Sequence, residues 1–164
     1  MNQLGRYTPK ARTVLTDCES LVDEFRDDAV YLKHRFKWVA AMALLRTVGH
    51  VLEKVDSTSS AYAKREIDKA WQKLRSSKPE PKIFWRFIYE GRNLVLKEYQ
   101  LGIITRVRAE GRVLPKGVST DQMSPKRAKV EYLITWGEYA GRSQKEVLLE
   151  AIAWWKGYLD EIDK

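Results

Sequence analysis

The segment Phe84-Trp85-Arg86-Phe87-Ile88-Tyr89-Glu90-Gly91-Arg92-Asn93-Leu94-Val95-Leu96-Lys97-Glu98-Tyr99 sets polar groups into an otherwise apolar run. Arg92 offers a rigid fork of donors for an oxyanion, Asn93 a carboxamide, Lys97 a compact positive charge and Tyr99 a phenol. On a regular helix Arg92 and Tyr99, seven apart, project from one face, and Asn93 and Lys97 form an adjacent i, i+4 pair. Four such groups near a helix end can hold and orient an anion. A lysine acts as a base only when burial or neighbouring cations bring its pKa down from about 10.4 toward neutrality, so phosphate binding is the more natural role for Lys97. The plain alternative is a solvated helix edge, with Arg92 paired to Glu90 or Glu98 and the Tyr99 hydroxyl in water.

The elements that must position these residues are helical. Ala11, Val14, Leu15, Cys18, Leu21, Val22 and Phe25 recur at spacings of three and four, which predicts a first helix over 8–25, with Thr8 as its cap and Pro9 at its first position. A central helix over 29–55 is apolar all round from Val39 to Leu45, and Gly49 allows a close crossing. Asp56 to Ser60 reads as a loop carrying a fresh cap. The third helix, about 60–74, sets Ala63, Ile67, Ala70, Trp71 and Leu74 opposite a basic face. Pro79 and Pro81 stop it, and the fourth helix runs from 82 to about 99. Ser143 to Glu146 has capping-box spacing ahead of a last helix through Leu159.

Between the fourth and last helices the texture changes. Residues 103–108 and 129–136 are β-branched and aromatic, flanking a loop with Gly, Pro and Ser, which predicts a hairpin or extended arm over about 103–136. From Leu101 to Val130 seven basic residues stand against two acidic ones: Arg106, Arg108, Arg112, Lys116, Lys126, Arg127 and Lys129. Alternation puts Arg106 and Arg108 on one strand face, where they could track a phosphate backbone or guard a strand edge. Trp136 either stacks on a base or packs under the last helix, whereas the other tryptophans read as core or interface.

Composition narrows the classes. The 164 residues, 44% hydrophobic and 32% charged, suit one domain over 1–164, and a net charge of +8 draws the protein toward polyanions. One cysteine, Cys18, excludes an internal disulfide and fits a reducing compartment. His34 and His50 are the only histidines, so no metal site and no cofactor is expected. No Walker loop, G-x-G-x-x-G or G-x-S-x-G is present. No secretion signal stands at Met1 to Arg6 and no long apolar run follows, so a cytoplasmic protein without a membrane span is expected.

Arg92-Asn93-Leu94-Val95-Leu96-Lys97-Glu98-Tyr99 resembles the motif of the HEPN superfamily, in the form where arginine is followed after four residues by histidine, any residue and tyrosine. Arginine, the asparagine after it and tyrosine match in place, while Lys97 stands where histidine is expected. The resemblance implies a helical bundle that pairs as a homodimer, with the motif residues of two subunits meeting to cleave RNA without a metal. Arginine would steady the scissile phosphate, asparagine and tyrosine would orient it, and the residue at position 97 would move protons. It also implies a bacterial defence, toxin or mobile-element setting, with a cognate antitoxin as a further partner.

The expected protein is therefore an all-α bundle of four to five helices with a small hairpin before the last one. It binds RNA, or cleaves it without metal, through Arg92, Asn93, Lys97 and Tyr99, aided by Arg106, Arg108, Arg112, Lys126, Arg127 and Lys129. Replacement of histidine by Lys97 favours a binding or degenerate site over an efficient ribonuclease. A non-enzymatic helical module that binds a protein or DNA is the alternative. The RNA reading requires Arg92, Lys97 and Tyr99 to converge in a basic cleft, and the module tolerates them dispersed.

Overall fold

The computed structural model describes residues 6–25, 31–108 and 129–164. It is an all-α bundle with a small antiparallel hairpin. In chain order come α1 (Pro9–Asp23), α2 (Tyr31–Lys54), a 3-10 turn (Asp56–Thr58), α3 (Ala61–Ser76), α4 (residues 83–97), β1 (Ile103–Arg108), β2 (Lys129–Ile134), a second 3-10 turn (Gly137–Tyr139) and α5 (Gln144–Ile162).

The apolar stripes read from the sequence turn inward. Ala11, Leu15, Cys18 and Val22 of α1 and Ala63, Ile67, Trp71 and Leu74 of α3 are buried, as are Trp38, Met42, Leu45, Val48 and Leu52 of α2. Trp155 lies at the centre of α5, fully buried, its indole N–H donating to the Leu45 carbonyl at 3.0 Å. Gly49 makes that crossing close: a Cβ there would stand 3.0 Å from the Trp155 ring and 3.2 Å from Trp71. In the apolar middle of α2, Ala41, Met42 and Leu45 are buried, and Val39, Ala40, Ala43 and Leu44 are half-buried.

Helix caps come from further away than the sequence suggests. Thr8 stands at the cap position of α1 but makes no side-chain capping bond. Instead Asp56, buried in the turn after α2, accepts the N–H groups of Lys10 at 3.0 Å and Ala11 at 2.8 Å. Burial pushes the Asp56 carboxyl above its ordinary value, although those two bonds favour its charged form. Asp163, just past α5, accepts from the Tyr7 N–H, the Thr8 hydroxyl and the Arg12 guanidinium, tying the start of α1 to the end of α5. Ser60 does cap α3, accepting from the Ala63 N–H at 3.0 Å. Ser143 makes no side-chain cap for α5, and Gln144 is drawn into the core instead.

Gln144 meets His34 there, Oε1 against Nε2. His34 stacks on Tyr132 of β2 and meets Phe25 edge-on, so one buried imidazole joins α2, the hairpin, the segment after α1 and the first turn of α5. Burial pushes its pKa below the ordinary value. The two strands pair from Ile103 opposite Ile134 to Arg108 opposite Lys129.

Candidate nucleic-acid interface

α4 is wound unusually. It is π-helical over Ile83–Tyr89, makes one α turn at Glu90–Arg92 and is π-helical again over Asn93–Lys97. An i→i+5 ladder takes more than four residues per turn, so a separation of seven no longer closes two turns. Tyr99 is moreover off the helix, beyond the Glu98 cap, with φ at +53°, and the Gln100 N–H closes the end on the Leu94 carbonyl at 2.9 Å. The shared face expected for Arg92 and Tyr99 on a regular helix therefore does not form.

What fixes the end of α4 is Trp136. Its ring lies parallel to Phe87, centroids 5.8 Å apart, and rests on the bare backbone of Gly91, where a Cβ would stand 2.4 Å from the indole. Gly102 passes the other edge of the ring. Trp38 donates to the Leu101 carbonyl at 2.9 Å, holding the exit of α4 against α2. Trp136 thus packs on α4, against Phe87 and Gly91.

Arg92, one residue after that seat, donates from Nη1 to Oδ1 of Asn93 at 2.9 Å. Its Nε is buried and unpartnered. Neither carboxylate that a plain helix edge would supply is bound to it: Glu90 pairs with Arg86 at 2.8 Å, and Glu98 forms no ion pair among the described residues. Lys97 and Tyr99 are exposed, Tyr99 by 61%, and no hydrogen bond or ion pair among the described residues joins either to Arg92. Arg92 and Asn93 are brought together, and Lys97 follows one turn on toward the helix end.

A residue the sequence did not single out meets α4 one turn earlier, at Tyr89. Arg46 of α2 places its guanidinium 5.9 Å from the ring centroid of Tyr89 and makes no ion pair among the described residues. Its sequence signal is slight, a single charge where the apolar middle of α2 ends.

The basic arm is only partly described. Arg106 is bound by Glu131 on the facing strand, Nη2 to Oε2 at 3.0 Å, which occupies the guanidinium expected to track phosphate. Arg108 and Lys129 face each other at the end of the ladder. Arg112, Lys126 and Arg127 lie outside the described residues.

Among the described residues no group of three or more His, Cys, Asp or Glu side chains could hold a metal ion. No helix there is long and apolar enough to cross a membrane. Burial pushes the Cys18 thiol up to about 12, which leaves it an inert core residue. Family models, curated proteins and solved structures yield no match to this chain. The likeness to the HEPN motif rests on Arg92, Asn93 and Tyr99.

Proposed function

We propose that the protein binds RNA through the end of α4 and the neighbouring part of α2, holding phosphate on Arg92 and Lys97 without the convergent Arg92, Lys97 and Tyr99 cleft that the HEPN resemblance calls for, since Tyr99 lies off the helix. One observation carries this reading: Arg46, Arg92 and Lys97 have no carboxylate partner among the described residues. Other cations, such as Arg35, Arg75, Lys78 and Lys145, also lack one there, but Arg92 and Lys97 stand on one helix end, with Asn93 bound to Arg92. A guanidinium already braced by Asn93 and free of acid is prepared for a phosphate oxygen, and charge-assisted bonds of this kind contribute about 1.5–3 kcal/mol. Lys97 is exposed and supplies charge to the same strand.

Incubating the protein with mixed RNA in chelator tests this. Wild type is expected to retain RNA with little cleavage, Arg92→Ala to lose about tenfold or more in affinity, and Lys97→His to gain cleavage by restoring a group that titrates near neutral pH. Unchanged affinity in Arg92→Ala would remove the reading. The second reading, a non-enzymatic module for a protein partner, is favoured by Leu32 and Phe36, one turn apart on α2 and exposed by 50% and 56%. It predicts that Arg92→Ala leaves RNA affinity where it was and that replacing Leu32 and Phe36 abolishes association.

A further inference from the structure

The site holds an aromatic face as well as charge. Tyr89 is 41% exposed, with Trp85 edge-on to its ring at 5.8 Å and the Arg46 guanidinium over it. Between Tyr89 and Arg92 the chain makes the one α-wound turn of α4, and a spacing of three on such a turn sets both residues on one helix face. Of the residues between them, Glu90 is neutralised by Arg86 and Gly91 carries no side chain. A part-exposed ring thus carries one guanidinium over it, and a second, that of Arg92, lies one turn on along the same helix; neither has an acid of its own among the described residues.

That pattern matches one nucleotide step of an unpaired strand: a base laid on a π-face, with its neighbouring phosphates met by cations. A duplex cannot use it, because its bases are already stacked on each other and present only edges and backbone. We infer that Tyr89, braced by Arg46, is a stacking platform for an unpaired base, and that the ligand of this surface is single-stranded RNA. This rests on the RNA reading above and adds to it the strandedness of the ligand and two residues that the motif does not contain.

The test uses the full chain, in chelator, with a fluorescently labelled unstructured oligoribonucleotide and a blunt RNA duplex of the same sequence. The single strand is expected to bind more tightly than the duplex. Tyr89→Ala should weaken single-strand binding about tenfold and leave duplex binding unchanged, while Tyr89→Phe, which keeps the π-face, should stay within about twofold of wild type. Arg46→Ala should weaken the single strand as well. Because Tyr89 is 41% exposed and lies outside the buried core, circular dichroism of Tyr89→Ala should match wild type. If Tyr89→Ala binds the single strand like wild type while Arg92→Ala is weakened, the platform is wrong and the phosphate site stands. If no variant differs and neither RNA form is retained, both fall.

Discussion

Gly91 is the residue on which the candidate site turns, although it carries no functional group. The indole of Trp136 rests on its backbone, and the methyl of an alanine would meet the ring at 2.4 Å and 2.7 Å and the Met42 Cε at 2.8 Å. A rigid indole held between Phe87 and Gly102 has little room to retreat. Gly91→Ala is therefore expected to destabilise the fold by about 1–3 kcal/mol, read as a lower urea midpoint. Arg92 was legible in the sequence because its type and its interval to Asn93 and Tyr99 form a pattern within one segment. Arg46 and Tyr89 were not, because their meeting depends on how α2 crosses α4, and no local spacing encodes that. Trp136 was legible as an aromatic at the end of a strand, but the choice between ligand, α5 and α4 needed two glycines distant in sequence, Gly91 and Gly102.

At the scale of elements, the helices themselves were legible because their apolar residues repeat at three and four, and the observed ends of α1, α2 and α3 fall within about two residues of the expected ones. What the pattern does not carry is the winding of α4 and the origin of the caps. Asp56 caps α1 from beyond α2, Ser143 makes no side-chain cap at α5, and Gln144 beside it turns inward to a buried bond with His34. That bond makes a pH-dependent junction. The folded His34 pKa is depressed by burial, with the Gln144 bond opposing and the charge of Lys37 adding to the effect. An unfolded histidine takes up its proton near about pH 6.5, while the folded one resists. The contribution is therefore complete above that pH and is lost as pH falls from it toward the folded value. Urea unfolding is expected to show stability falling as pH drops below about 6.5, with a shallower slope in His34→Asn. Parallel slopes for the two proteins would show that His34 does not set it.

Taken whole, the molecule carries a net charge of +8, which draws any polyanion toward it without choosing a place of contact. The ion pairs narrow the place, and the α2 and α4 side adds an exposed ring, Tyr89, to its unpaired cations. Many of the described cations sit beside carboxylates and are screened, and others are not, among them Arg46, Arg92 and Lys97 on the α2 and α4 side. Composition could announce the overall charge, but not which positive groups remain free, since pairs such as Arg106 with Glu131 and Arg12 with Asp163 join distant parts of the chain. The most direct test is the salt dependence of binding to a single-stranded RNA, measured for wild type and Arg92→Ala. The phosphate-contact account predicts that the plot of log K against log salt for the variant is lower and shallower by about 0.7, the value of one phosphate contact on a single strand. Two coincident lines would contradict it.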